Sequence, residues 1–184
     1  MTMQLPCGFV DQDTFVYGFG RWRSLKSIRP GFGDQRLLQH DGSFLRPRAV
    51  YREQGGFGQK VVELVTRHDT EHWLPLVVTG NQAVASQGQW VRAGQLRPGD
   101  SLTLYYVYHD GRRPPNMEVT IKQVRERMLW GDTVYSVEVD GGCSVVVAYY
   151  RGQGSAHAAG GYIVASRRAA EADTPVVVEE KIDE

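Results

Sequence analysis

The chain has 184 residues, 41% of them hydrophobic, and its 21 Lys and Arg balance its 21 Asp and Glu. This balance argues against general electrostatic binding of nucleic acid or anionic lipid, and two cysteines are too few for a disulfide framework. The first residues lack the basic and apolar regions of a signal peptide, and no apolar run reaches the length of a membrane span. We therefore expect one domain, inside the cell or within a larger particle.

Strand patterns dominate the chain. Short β-branched and aromatic runs that end at turn residues predict strands at 14–17, 60–66, 73–79, 101–108, 117–125, 133–139, 144–150 and 162–165. The second and third of these should form a hairpin, and the very apolar run 144–150 should be a central strand. Helical periodicity is nearly absent, and short turns at 23–28 and 91–96 each end before a proline. The predicted fold class is all-β.

Two segments of the chain repeat each other without a gap. The first copy contains Gly20, Trp22, Ile28, Arg29, Pro30 and Gly31, and the second contains Gly88, Trp90, Leu96, Arg97, Pro98 and Gly99. Upstream, Thr14 and Val16 align with Gln82 and Val84. Such a repeat indicates one supersecondary unit used twice. We predict a compact domain of two similar halves related by a pseudo-two-fold axis.

The end of the chain has a different composition. Gly152–Gly161 is rich in small residues, which predicts a flexible loop. From Arg167 onward acidic residues outnumber basic ones and aromatic residues are missing, which indicates a flexible tail or an arm that orders on a partner. The predicted organisation is a leader at 1–6, a β domain at 7–165 and an acidic tail or arm at 166–184.

Three blocks of the sequence carry a family resemblance. The first runs from Cys7 through the first copy of the repeat, and the second contains Thr79-Gly-Asn-Gln82 and Trp90-Val-Arg-Ala-Gly-Gln-Leu-Arg-Pro-Gly-Asp100. The third joins Val134–Val139 to Cys143 and the apolar residues after it. In these blocks the chain resembles the Hint domain, which inteins share with the autoprocessing part of hedgehog proteins. The resemblance implies a two-halved, horseshoe-type β domain.

The same resemblance implies self-processing chemistry and shows where it is degraded. In the family a cysteine attacks the carbonyl before it, and a histidine protonates the departing nitrogen. The matching positions hold Cys7, Thr79, Gln82, Ser136 and Cys143. Gln82 replaces the family's histidine, and an amide cannot act as an acid near neutral pH. Ser136 and Cys143 replace the late aspartate and histidine, no His-Asn pair stands near the end, and Pro6 crowds the bond to be cleaved.

These substitutions predict that autoprocessing has been lost. We expect a non-catalytic structural or interaction module, with a protein partner or a place in a larger assembly, and no cofactor. An alternative is a slow acyl shift by Cys7 at the Pro6–Cys7 bond. A weaker alternative is a nucleic-acid-binding β domain that uses a strip of basic residues, otherwise a solvated rim. The strip consists of Arg21, Arg23, Lys26, Arg29, Arg36, Arg46, Arg48 and Arg52.

Other candidate sites have simpler interpretations. His68 and His72 fall at a predicted hairpin tip rather than on a helix, so a metal clip is not favoured. The Gly55–Lys60 segment lacks a full phosphate-loop motif and precedes a strand, so a nucleotide site is not expected. Cys7 is also compatible with an ordinary free thiol, and Cys143 with a small core residue.

Overall fold

The structure of the chain, a computed structural model, describes residues 5–11, 13–18, 21–31, 35–56, 58–67, 73–107, 116–148 and 159–166. Antiparallel strands form this part of the chain, which confirms the all-β prediction. The strands are β1 Phe15–Gly18, β2 Arg21–Ser24, β3 Leu37–Leu38, β4 Phe44–Leu45, β5 Pro47–Gln54, β6 Lys60–Val65, β7 Leu76–Thr79, β8 Ala83–Ser86, β9 Gln89–Arg92, β10 Ser101–Val107, β11 Met117–Thr120, β12 Gln123–Met128, β13 Thr133–Val139, β14 Ser144–Ala148 and β15 Ala159–Ala165. Two 3-10 turns lie at Leu25–Ser27 and Ala93–Gln95, inside the two predicted turn regions.

The larger sheet connects both halves of the chain. Its strand order is β11-β10-β15-β14-β1-β3-β4, with β2 paired to β1, β8 to β15 and β9 to β8. The predicted central strand 144–150 is β14, which lies between β15 and β1 and is buried along its whole length. Apolar side chains on both faces explain why this run lacks alternation.

The second β layer contains the predicted hairpin and is completed by the N-terminal segment. One part has the order β12-β6-β7, and the other pairs β13 with β5. Phe9 joins them, because it forms one β-bridge with Val78 of β7 and another with Tyr135 of β13. The chain next to Cys7 is therefore threaded between two strands instead of lying on the surface.

The two copies of the repeat have the same backbone structure. Tyr17 is opposite Trp22 in the first copy, and Ala85 is opposite Trp90 in the second, at equivalent register. Hydrogen bonds repeat as well: Leu25 N donates to Thr14 O at 3.0 Å, and Ala93 N donates to Gln82 O at 2.9 Å. The predicted duplication is thus visible in strand pairing, in the 3-10 turns and in the bonds before them.

The core also follows the repeat. Val16 and Val84 are fully buried in the main hydrophobic cluster, together with the matching residues Ile28 and Leu96. The paired tryptophans Trp22 and Trp90 both pack in a second cluster, which includes Cys7, Cys143 and Ala165. Buried apolar side chains at matching positions therefore stabilise both halves in one body.

Two sequence expectations need correction. The predicted strand 117–125 is two strands in different layers, β11 and β12, which separate at the buried Ile121. The flexible loop expected at 152–161 ends earlier, since Ala159–Gly161 belong to β15. A Cβ atom on Gly161 would collide with the main chain of Val147, so glycine allows close strand contact there.

Several expectations fall outside the described residues. These are His68, His72, Gly20, the last residues of the predicted strands 101–108 and 144–150, the loop at 152–158 and the acidic tail from residue 167. Ser166, the first residue of the predicted tail, is buried and donates its N–H to Cys143 O at 2.9 Å. In the described part of the chain, no helix has the length and apolarity needed to cross a membrane.

Candidate functional site

The N-terminal segment is held against β7 by main-chain and side-chain bonds. Gly8 N donates to Thr79 Oγ1 at 3.1 Å, and Thr79 N donates to Gly8 O at 2.9 Å. Gly8 has a φ of 154°, and a Cβ atom there would collide with the carbonyl of Tyr135. Glycine therefore permits the chain to pass between β7 and β13, and Thr79 holds the residue that follows Cys7.

The carbonyl of Pro6 accepts a hydrogen bond from a buried amide. Gln59 is only 5% exposed, and its Nε2 donates to Pro6 O at 2.5 Å. This carbonyl is the one that precedes Cys7, so it is the group that the Cys7 thiol would attack. Sequence reasoning missed Gln59, although it lies in the Gly55–Lys60 segment considered there for a phosphate.

Asn81 contacts the same segment at two points. Its Nδ2 donates to Leu5 O at 3.2 Å, and its main-chain oxygen lies 3.6 Å from Cys7 Sγ, within range of a weak thiol hydrogen bond. The main-chain oxygen also accepts from Arg92 Nη1 at 3.1 Å. Asn81 is a middle residue of the Thr79–Gln82 motif, so the signal for it was present in the sequence but was assigned to its neighbours.

Gln82 bonds to β15, the last strand of the described chain. Its side chain is 2% exposed, and Nε2 donates to Ala83 O at 2.9 Å and to Ala165 O at 3.0 Å. Both N–H groups of the amide are therefore used by carbonyl oxygens. Gln82 fixes the end of β15 and has no acidic proton to offer.

Of the two late positions, Ser136 lies beside Gly8 of the threaded segment, and Cys143 lies beside the end of β15. Ser136 is 3% exposed in β13, next to Tyr135, whose main chain bridges Phe9. Cys143 is half-buried just before β14, and its carbonyl accepts from Ser166. Burial, with a smaller contribution from the charge of Asp41, raises the pKa of the Cys143 thiol. The protonated thiol is therefore favoured at neutral pH.

His40, which no sequence motif singled out, contacts Cys143. Its Nδ1 lies 3.6 Å from Cys143 Sγ and 2.9 Å from Ser144 Oγ. Ser144 is fixed in turn, because its N–H donates to Gln39 Oε1 at 3.1 Å. His40 and Cys143 are 103 residues apart, so no local pattern could have connected them.

The structure therefore places the five predicted positions around two chain segments, 5–9 and 165–166. Thr79 bonds to the first segment and Gln82 to the second, while Ser136 lies beside the first and Cys143 bonds to the second. Cys7 can attack the Pro6 carbonyl through a five-membered ring, because its thiol lies one residue after that carbonyl. Among the described residues, no group of three His, Cys, Asp or Glu side chains is placed to hold a metal ion.

Comparison with known proteins gives structural matches alone. No protein-family model and no curated protein matches the chain. An intein from a hyperthermophile aligns with a TM-score of 0.60 and 12% identity, over 88% of this chain and 100% of that one. A DnaB intein from Synechocystis gives 0.58 and 12%, over 88% and 99%. A bacterial intein-like domain from Clostridium thermocellum gives 0.55 and 13%, over 90% and 100%. The fold that the sequence resemblance predicts is confirmed.

Proposed function

We propose that this chain, which has the Hint fold, does not splice and serves as an interaction module in a larger protein assembly. The observation that carries the proposal is the bonding of Gln82. Its amide stands where the family's acid is expected, is buried, and donates both N–H groups to Ala83 O and Ala165 O. A group in this state holds two strands together and cannot protonate a leaving nitrogen.

The remaining positions support the same proposal. Ser136 supplies a neutral hydroxyl in place of a carboxylate, and the raised pKa of Cys143 keeps its thiol protonated. The strand β15 ends at Ala165 and Ser166 follows it, without the His-Asn pair that chain cleavage by asparagine cyclisation needs. Each missing acid–base group costs a factor of about 10²–10⁴ in rate, and the groups act together.

An exposed tryptophan supports the interaction role. Trp130 is 82% exposed in the turn between β12 and β13. This turn is ordered by Asp132, whose carboxylate accepts from Trp130 N at 3.2 Å and from Arg127 Nη1 at 3.1 Å. Tryptophan is one of the residue types enriched in binding hot spots. We therefore expect a protein partner, met inside the cell or within a particle, to bind at this turn.

A second candidate function rests on a different observation. The bond from Gln59 to Pro6 O at 2.5 Å polarises the carbonyl next to Cys7. This contact favours a slow acyl shift, in which the Pro6–Cys7 amide becomes a thioester. The absence of an acid at Gln82 limits the rate, but external thiol or hydroxylamine would trap any thioester that forms.

Intact-mass spectrometry of the purified full chain distinguishes the two functions. The first function predicts that the wild-type mass stays unchanged over days in hydroxylamine, as it must in Cys7→Ala. Loss of residues 1–6 in wild type but not in Cys7→Ala would establish the second candidate instead. Gln82→His is the informative companion, because it returns an acid–base side chain to the position that lacks one.

The interaction role is tested at Trp130. Chemical crosslinking in the native extract should give a discrete adduct that Trp130→Ala loses, because the variant removes most of the exposed aromatic surface of the turn. Phe15→Ala is the matched control, since Phe15 is also exposed, at 46%, but lies on β1. Equal adducts from both variants, or none from wild type, would contradict the proposed role of this turn.

A further inference from the structure

Gln59 faces the reacting carbonyl from inside the protein. Its Nε2 lies 2.5 Å from Pro6 O, while its side chain is 5% exposed. The family resemblance assigns roles to Cys7, Thr79, Gln82, Ser136 and Cys143, and Gln59 is outside that set. A buried donor outside the family's set of site residues therefore contacts the oxygen of the carbonyl that Cys7 would attack.

The amide of Gln59 is held in one orientation. Its Oε1 accepts from Gly56 N at 3.0 Å, and Nε2 makes a second, longer contact of 3.3 Å with Asn81 Oδ1. A flipped amide would place Nε2 against the Gly56 N–H and Oε1 against the Pro6 oxygen, so both contacts would be repulsive. The main chain is fixed as well, because Gln59 O accepts from Leu129 N at 2.9 Å. The donor is thus pre-oriented and needs no rearrangement during a reaction.

We propose that Gln59 is the oxyanion donor for an acyl shift at Cys7, which rests on the second proposed function. In that step the Cys7 sulfur bonds to the Pro6 carbonyl carbon, and the negative charge gathers on Pro6 O, where Gln59 Nε2–H donates. The bond from this carbon to Cys7 N then breaks. The proton lost by the thiol is balanced by the one gained at the nitrogen, which leaves a thioester and a free amine.

A neutral amide suits this role better than a charged one. Burial weakens competition from water, so the bond strengthens as charge develops on the oxygen. A cation at this place would pay a desolvation cost in the ground state, before any charge forms. Loss of one such donor lowers the rate by about 10²–10³-fold in enzymes with an oxyanion hole.

One NMR signal reports the bond directly. The pair Pro6–Cys7 is the single Pro-Cys step in the sequence. Labelling with ¹³C-carbonyl proline and ¹⁵N-cysteine therefore gives one carbonyl–amide cross-peak for the full chain. We expect Gln59→Met to move the carbonyl signal upfield, because the carbonyl loses a donor. Gln59→Glu is the second variant. It has nearly the same size and keeps an acceptor for Gly56 N, but it replaces the amide N–H that donates to Pro6 O.

Gln39→Met is the matched control. Gln39 is another buried glutamine, 2% exposed, whose Nε2 donates to Leu37 O at 3.3 Å and whose Oε1 accepts from Ser144. It has the same side chain and similar burial, but its contacts are to β3 and β14. Its replacement should leave the Pro6 carbonyl signal in place, whatever it does to stability.

Hydroxylamine cleavage of the same proteins gives the second readout. The proposal requires wild type to release residues 1–6 and Gln59→Met to do so about 10²–10³-fold more slowly. Cleavage of Gln59→Met at the wild-type rate would overturn the role of Gln59 and leave the acyl shift standing. If wild type does not cleave, the acyl shift itself fails, and a moved carbonyl signal would reduce Gln59 to a positioning contact.

Discussion

The two copies of the repeat contain the same turn, but the side chains of this turn make different contacts in each copy. In the first copy, Thr14 N donates to Asp11 O at 3.1 Å, and in the second, Gln82 N donates to Thr79 O at 3.0 Å. The backbone of the turn is therefore the same. In the first copy the exposed Asp13 forms an ion pair with Lys26, whereas in the second copy Asn81 and Gln82 bond to residues 5 and 165.

The positions of the two copies in the fold explain this difference. The second turn directly follows β7, which pairs with the threaded N-terminal segment at Phe9, and precedes β8, which pairs with β15. The first turn precedes β1, which pairs with β14. The backbone of the turn is thus the same in both copies although its side chains differ. The candidate site lies at the second copy, which contacts both residues 5–9 and residues 165–166.

The largest difference between the copies is expected at the first residue of each 3-10 turn. Leu25 is 1% exposed, and its equivalent Ala93 is 0% exposed, so both are buried but differ in size. Leu25→Ala should lower the free energy of unfolding by about 2–5 kcal/mol, because it leaves a cavity in the main cluster. Urea unfolding followed by tryptophan fluorescence measures this loss.

The reciprocal change in the second copy is the control. Ala93→Leu should cost about 1–3 kcal/mol, because it forces extra methyl groups into a packed site. If the two copies were interchangeable, Ala93→Leu would be neutral. A neutral result would contradict the conclusion that each half is packed to its own volume.

Much of the fold could be predicted from the sequence because the repeat carries its own signals. Val16 and Val84, the Gly-x-Trp turns and the Arg-Pro-Gly ends are local, so they predict both turns and the two-halved body. The hairpin of β6 and β7 is predicted from another local signal, two strand-like runs on either side of a short polar stretch, although β7 begins only after Pro75, which cannot donate to a strand. Cys7, Thr79 and Gln82 were also accessible, through their spacing in the family blocks.

The remainder depends on contacts between distant residues. No Gly, Pro, Asn or Asp marks the passage from β11 to β12, where Ile121 N donates to Asp100 O and Lys122 N donates to Val65 O. Gln59 is 53 residues from Pro6, and the separation of His40 from Cys143 is greater still. A single sequence has no local signal for such pairs, so the donor at the Pro6 carbonyl is visible only in the fold.

The smallest expected effect is one that should be equal in the two copies. Gly31 and Gly99 have φ values of 75° and 97°, and a Cβ atom on either would meet nothing within 4 Å. Alanine at either position should therefore lower the free energy of unfolding by about 1–2 kcal/mol, which is the cost of holding a residue with a Cβ atom in the left-handed conformation. Gly31→Ala and Gly99→Ala should shift the urea midpoint equally, and the double variant should add the two losses within about 0.5 kcal/mol. Unequal shifts would show that the two turns, despite their shared bonds, carry different strain.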